Sequence, residues 1–532
     1  MQSIKIPHVE TGYFSTKIQD FLNRNEKLSP FLNDYFSIEG VKEIINKREQ
    51  FPFVDRAVLS ETLLSQYEGL DISEATKANI AALANPKTYT ITTAHQLNLF
   101  TGPLYFFYKI LHCINLCEQL NDAEKDHRFV PIFWMHTEDH DFEEVNHLNI
   151  FDNKIEWKTE QTGAVGNFKT TGLAEAIGAV SETLGQSENA QAIVAKLKEH
   201  FLGKTSYKEG MFSFINWLFK DYGLVIVDQQ NGVLKTLISD YFHNELTQHD
   251  LYNQLLLSRK KLEAADYEEQ ALPRAINLFY IEDSNQRNRI VFTDDHYQVL
   301  NTNLRFTEEE ILQEFKNNPN RFSTNVLSRP VFQQSVLPNL AYIGGGGELA
   351  YWMQLKASFN KLNVFYPPLI LRQSLLIVSQ KQEKKLAKIG FTPTDLFTDF
   401  HQLVKQMVRE ESDNQLNLTK EKEQLSALFD VVVDKAKNVD PTLERSAEGE
   451  KTKQLNSLEK LETKILRAEK RKYEDKSNQL ERIQQQLFPN NSLQERKENF
   501  LSFWLTMGNS FVPMLKENIN PTATDFVVLI EE

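Results

Sequence analysis

The chain has two cysteines among 532 residues, and nowhere do as many as eighteen apolar residues run together. The first scarcity excludes a disulfide-stapled secreted scaffold, and the second a membrane-crossing helix. The opening MQSIKIPHVETGYF lacks the apolar stretch and small-residue cleavage site of a secretory signal, so a cytoplasmic protein is expected. Positive charge is scarce too: 59 Lys and Arg against 73 Asp and Glu leave a net charge of −14. No basic patch interleaved with aromatics concentrates the field that a phosphate backbone requires, which argues against a nucleic-acid partner. Gly-x-Gly-x-x-Gly and a Walker lysine are absent. Cys113 and Cys117, four apart on a predicted helix, read as small core residues; a zinc site would need two more ligands.

The most informative stretch is 89–147. It opens with a β-branched strand (88–93), continues through a polar loop broken by Gly102-Pro103, and enters an apolar helix from about Leu104. A second strand, 130–135, runs into His136, Glu138, Asp139, His140, Asp141, Glu143, Glu144 and His147. Strand, helix, strand is a βαβ unit, and such units place ligands at the carboxyl ends of their strands, where both polar clusters fall.

Around this unit the chain divides by pattern. Residues 1–85 predict an amphipathic helical lead-in packed on the core, with Ser60 and Ser73 as helix caps. Residues 86–150 form the first half of the core. An inserted region, 151–325, predicts a hairpin at 148–158, helices over 172–202 and 206–220, a buried core strand at 223–228 and a hairpin from 277–282 and 289–292. The second half, 326–379, holds a strand at 339–343, four consecutive glycines, a helix over 348–362 and a strand at 368–372. The glycines allow close backbone approach, which suits either a phosphate cradle or a tight strand-to-helix turn. In 380–490, leucines at spacings of three, four and seven among charged residues predict an antiparallel helical coiled coil turning near 440–449, whose duty is association of two subunits. Residues 491–532, with a late strand at 526–530, are expected to dock back on the body. The fold class is α/β: a Rossmann-like parallel sheet with inserted connecting elements and a long coiled coil.

His95-Gln96, the run 99–105 with Lys109, the motif 138–142, the motif 144–147, and the segment 342–352 together resemble BshC, the cysteine ligase family of bacillithiol synthesis. The motifs keep their order over some 260 positions, and the resemblance extends over nearly the whole chain. It implies a core like that of class I synthetases and nucleotidyltransferases, and a ligase that joins cysteine to the amine of glucosaminyl-malate. Amide formation from a free carboxylate needs activation, for which ATP is the ordinary source. The expected partners are these small molecules and a second copy of the chain, and no resident metal is expected.

Three readings of the acidic histidine cluster stay open. It can be a metal site on His136, Asp139 and His140, as in a hydrolase; a structural network that holds buried histidines; or a substrate site with Asp139 or His140 as base. On the last reading Glu138, Asp141, Asn146 and His147 contact substrate with Gln96, the loop amides of Thr101 and Gly102 steady anionic charge, and His95 is a catalytic residue facing Asp139 across one cleft. An anionic malyl group is repelled by those acids, so Lys109, Arg329 and Arg372 are the candidates to hold it, beside Tyr342, Gly344, Gly345, Glu348 and Tyr351. The site should be bipolar. A third class, a non-catalytic coiled-coil scaffold of the thiol pathway, would need none of this chemistry.

Overall fold

The computed structural model describes residues 1–411 and 417–531; residues 412–416 of the predicted helical region and Glu532 of the predicted tail lie outside it. The chain forms two compact units. One holds Lys5–Leu376 and Ser492–Val527, the other Met1–Ile4, Ile377–Asn491 and Val528–Glu532.

The larger unit is built on a five-stranded sheet. Its strands are β1 (Thr88–Gln96), β2 (Arg128–His136), β3 (Val225–Asp228), β4 (Asn339–Gly344) and β5 (Leu369–Leu371), in the spatial order β5-β4-β1-β2-β3. Every neighbouring pair is parallel. Buried on both faces, β1 and β2 read as continuous apolar or β-branched runs, as central parallel strands do. Pro131 sits inside β2 yet precedes the point where β3 begins to pair at Ile132, so its missing N–H disturbs only the end of that ladder. Helix α1 (Tyr105–Ala123) links β1 to β2 and is buried without a break from Phe106 to Cys117. Its Cys113 and Cys117 are free and buried, with Cys113 Sγ donating to Ile91 O at 3.0 Å, so the core reading holds.

A second, antiparallel sheet of five strands includes the predicted hairpin, formed by Leu278–Ile281 and Arg287–Thr293. The predicted hairpin at 148–158 is found at His147–Ile150 and Asn153–Glu156. Two long predicted helices are broken. Leu173–Leu184 stops at Gly185 (φ 77°), and Glu188–Phe201 restarts under a Ser187 cap. Gly346–Trp352 (α3) and Lys356–Lys361 replace the helix over 348–362. Ser73 caps its helix as predicted, but Ser60 lies within Arg56–Ser65, where Asp55 is the cap; the carboxylate at the true start accepts from the amides of Ala57 and Val58. Helix α2 (Arg329–Val336) precedes β4.

In the smaller unit Thr419–Val439 and Leu443–Lys470 lie side by side. The ion pairs Lys422–Glu462, Lys451–Asp430 and Lys437–Glu444 advance along one helix as they retreat along the other, which makes the pairing antiparallel. The turn is Asp440–Thr442, with Thr442 N donating to Asp440 Oδ1 at 2.8 Å; Gly449 is already helical. The late strand spans Phe526–Ile530, and a strand at Gln2–Ile6 was not predicted.

Candidate functional site

The site gathers at the carboxyl ends of β1, β2 and β4. Gln96 ends β1, and its Nε2 donates to Asp139 Oδ2 at 2.7 Å and to Glu144 Oε2 at 3.1 Å, so the two early strand tips meet. Asp139 Oδ1 is held by the amides of His140 (2.7 Å) and Asp141 (3.3 Å), which fixes the carboxylate. His95, one residue back, points instead into the packing of α1. It is 7% exposed, its ring lies edge-on to Tyr105 at 5.2 Å, and its Nε2 has no partner. Burial, with the Lys109 ammonium adding to it, pushes its pKa down to about 3, so the imidazole is neutral. His95 and Asp139 therefore do not face each other across one cleft as expected: Gln96 bonds Asp139 directly, and His95 is packed on Tyr105 and Phe106.

Not every acid faces the cleft. Glu138 is fully buried against the equally buried Lys235 and accepts from Gln229 Nε2 at 3.3 Å, which corrects its expected role toward substrate: its charge is spent inside the fold. His140 accepts from Arg287 Nη1 at 2.7 Å through Nδ1, so that lone pair is not free to take a proton. Arg287 is fixed by Ser323 Oγ and Thr324 O and lies over the Phe279 ring at 4.0 Å. Asp141 is exposed at the start of Phe142–Val145, and Asn146 Oδ1 meets His147 Nδ1 at 3.0 Å. His147, Glu144, Gln96, Asn98 and Tyr105 line a cavity of 290 Å³ together with Arg496 and Lys497.

The loop amides expected to steady negative charge are already used: Thr101 N donates to Asn98 O and Gly102 N to Leu99 O. At Gly102 (φ 64°) a Cβ would lie 2.5 Å from Asn98 Cβ, so that residue shapes the loop. The four-glycine turn is likewise no phosphate cradle. Glu348 caps α3 through Gly345 N at 2.9 Å, which puts a carboxylate where a phosphate would sit. Of the four, Gly344 is the most crowded, since a Cβ there would lie 2.8 Å from Leu349 Cδ1. Glu348 also accepts from Lys109 Nζ and Tyr342 OH, each at 2.6 Å. Burial works to raise its pKa, but these donors outweigh it and hold it down to about 2.

The two arginines differ. Arg372 makes a bidentate pair with the fully buried Glu495, at 2.7 and 3.0 Å, so it is not the expected holder of substrate carboxylates. Arg329, 4% exposed, donates only to neutral groups, Gln333 Oε1 and Tyr351 OH, and has no carboxylate ion pair among the described residues. Beside it His136 keeps an unpartnered Nε2, and burial, then Arg329 and Lys109, hold its pKa well down. Sequence reasoning missed Arg287, Lys235, Glu495, Arg496 and Lys497; the charged run QERKE at 494–498 was the only local signal.

Residues 1–373 match the family model for the BshC N-terminal Rossmann-like domain of bacillithiol biosynthesis, and residues 375–531 match that for the BshC C-terminal coiled-coil domain. The chain belongs to the BshC family. A relative in Flavobacterium johnsoniae named "Putative cysteine ligase BshC" is 40% identical over 98% of this chain and 99% of its own, and one of the same name in Christiangramia forsetii is 39% identical over 98% of each. A solved structure titled as an arginyl-tRNA synthetase from Campylobacter jejuni reaches a TM-score of 0.21 at 10% identity, covering 84% of this chain and 98% of that one, too low to carry an argument.

In this BshC-family chain the His136, Asp139 and His140 trio does not assemble into a metal site; among the described residues no three His, Cys, Asp or Glu side chains converge as metal ligands. Nor is any described helix long and apolar enough to cross a membrane. What the geometry offers is an acid fixed at the strand tips, and, elsewhere at these carboxyl ends, a buried guanidinium without a hydrogen-bonded carboxylate next to a neutral imidazole.

Proposed function

We propose that the chain is a cytoplasmic cysteine ligase that forms the amide bond between the carboxyl carbon of L-cysteine and the amine of glucosaminyl-malate, the last step of bacillithiol biosynthesis. Family membership supports the cysteine and thiol chemistry. The observation that carries the reading at this site is its polarity: Asp139, Asp141 and Glu144 on one side, and on the other the buried Arg329, which has no hydrogen-bonded carboxylate among the described residues. A rim of acids attracts an ammonium and accepts its proton, and a buried guanidinium requires a carboxylate or phosphate.

The step this supports is attack of the neutral amine nitrogen on an activated cysteinyl carbonyl. The carbon–nitrogen bond forms, the bond to the activating group breaks, and the amine proton passes to Asp139 Oδ2, which Gln96 orients. Asp139 is the base in preference to His140, whose Nδ1 lone pair is held by Arg287. ATP is the activating cofactor in this reading, and when bound it supplies the energy that converts the carboxylate into an acylating group. With the Gly345, Thr101 and Gly102 amides in use, the side chains that fit its phosphates are Arg329 and the unpartnered His136. Arg496 and Lys497, lining the cavity with His147, suit the malyl carboxylates.

We further propose a homodimer, supported by apolar side chains that the helical pair leaves in solvent. The test of the ligase is purified protein with cysteine, glucosaminyl-malate and ATP, read by mass spectrometry. The amide product should appear, and Asp139→Asn should slow it by about 10²-fold or more with substrate affinity kept. Intact substrates and no product from folded protein would sink the reading, and full activity in Asp139→Asn would favour another base.

A further inference from the structure

The largest cavity described lies away from this site. It measures 530 Å³, within the size range of small-molecule sites, and is lined by Arg48, Phe53, Leu237, Tyr241, Ser335 and Phe365 among others. Its position follows from Arg48, whose Nη2 donates to Leu337 O two residues before β4 begins. The cavity therefore opens at the amino end of β4, whereas the candidate active site occupies the carboxyl ends.

Arg48 is 2% exposed. Its terminal nitrogens reach only main-chain oxygens, of Phe51, Pro52 and Leu337, at 3.1 to 3.5 Å, and its Nε has no partner. Among the described residues no carboxylate pairs with it, and Arg56 adds like charge nearby. A guanidinium taken from water with neutral partners alone is costly, and the cost is relieved when an anion enters. Two more groups on the cavity wall wait in the same way: Ser335 Oγ and Asn244 Oδ1 are buried without partners. Part of the remaining wall is apolar, and the Phe53 ring centre lies 3.9 Å from the guanidinium carbon with that of Phe365 beyond it at 5.9 Å. The wall also carries Asp240 and Asp250, of which Asp250 faces Lys361 at 3.7 Å. Those acids disfavour a multiply charged ligand.

We infer that this cavity is a second ligand site, for a singly charged organic acid whose carboxylate meets Arg48 and Ser335 and whose aromatic or branched apolar body lies against Phe53 and Phe365. Selectivity comes from one charge and one hydrophobic contact, and the site is independent of the ligase chemistry.

Isothermal titration calorimetry of the full chain tests it, with 3-phenylpropionate, its uncharged amide and phenyl phosphate as probes. The acid should saturate one site per chain and bind at least about tenfold more tightly than the amide, a difference of about 1.4 kcal/mol. Because Arg48→Gln can fail to fold, the deciding variant is Leu237→Trp, which fills the cavity without touching Arg48. It should lose the acid while keeping wild-type thermal unfolding and wild-type turnover. No saturable binding of the acid, equal binding of acid and amide, or unchanged binding in a folded Leu237→Trp would overturn the site. Tighter binding of phenyl phosphate than of the carboxylate would overturn the single-charge assignment.

Discussion

Ile91, Leu340 and Ile343 of the parallel sheet are completely withdrawn from solvent, whereas Leu428, Val432 and Leu461 of the helical pair stand 61, 44 and 48% exposed. Charge is distributed the other way. The sheet unit holds Lys235–Glu138 and Arg372–Glu495 inside, and the helical pair wears Lys437–Glu444 and Lys451–Asp430 on partly or fully exposed side chains. A single chain thus completes the sheet's core, and these two buried ion pairs are closed within it, while Arg48 and Arg329 are buried on neutral partners. The helical pair instead leaves apolar area uncovered, as a surface meant for a partner does.

The largest effect that sharpens this contrast is expected inside. Glu495→Ala strands Arg372 without its carboxylate and should cost about 3–5 kcal/mol of stability. Urea unfolding followed by tryptophan fluorescence measures it; a loss below about 1 kcal/mol would mean that water replaces the carboxylate. Acid gives the next effect. His95 is neutral in the fold with a pKa of about 3, against an ordinary value of 6.5. Between those values the unfolded chain binds the extra proton, so stability is full above about pH 6.5 and falls as pH drops toward 3. His136 and His112, also lowered by burial, act in the same direction. Glu348, held down to about 2, keeps its contribution above the ordinary carboxylate range and loses it only toward pH 2. Hydrogen exchange at pH 7 and pH 4.5 should therefore show β1 and β2 loosening by a few kcal/mol more than Thr419–Val439. Uniform loosening of both regions would break the comparison. A smaller effect is expected on association: if the proposed dimer uses this face, Leu428→Glu with Leu461→Glu should shift sedimentation toward monomer, since each leucine that a partner buries is worth about 1.5–3 kcal/mol. Unaltered sedimentation would remove these residues from the interface.

The same contrast explains what could be read in advance. The run 88–93 declares a strand because its β-branched residues admit little else, though the strand continues to Gln96, and the leucine spacing of 418–439 declares a helix whose partner is the next helix. That the two strand tips approach each other was legible from the βαβ unit, but the residue that reaches Asp139 is Gln96 and not the expected His95, one position back. Which acid of a dense run faces inward was not: Glu138 and Asp139 are adjacent and chemically alike, and Lys235, which takes Glu138, lies 97 residues away. Arg372 offered no sign that Glu495, 123 residues on, would neutralise it. Arg287 reaches His140 from 147 residues away, on a strand whose sequence marks only its alternation. Local pattern fixes elements, but pairing of buried charges depends on which elements the fold brings together.

The smallest expected effect lies at the surface. Lys451 and Asp430 approach to 2.5 Å, yet Asp430 is 63% exposed, so solvent and salt screen the pair. A double-mutant cycle with Lys451→Ala and Asp430→Ala should return a coupling of about 0.2–1 kcal/mol, shrinking further when salt is raised from about 0.1 to 1 M. Coupling comparable to that of Arg372 with Glu495 would require that a second chain cover the pair and exclude water. The cycle therefore tests the proposed dimer from its electrostatics, and run over a wide range of chain concentration it separates the intrinsic worth of the pair from anything that association adds.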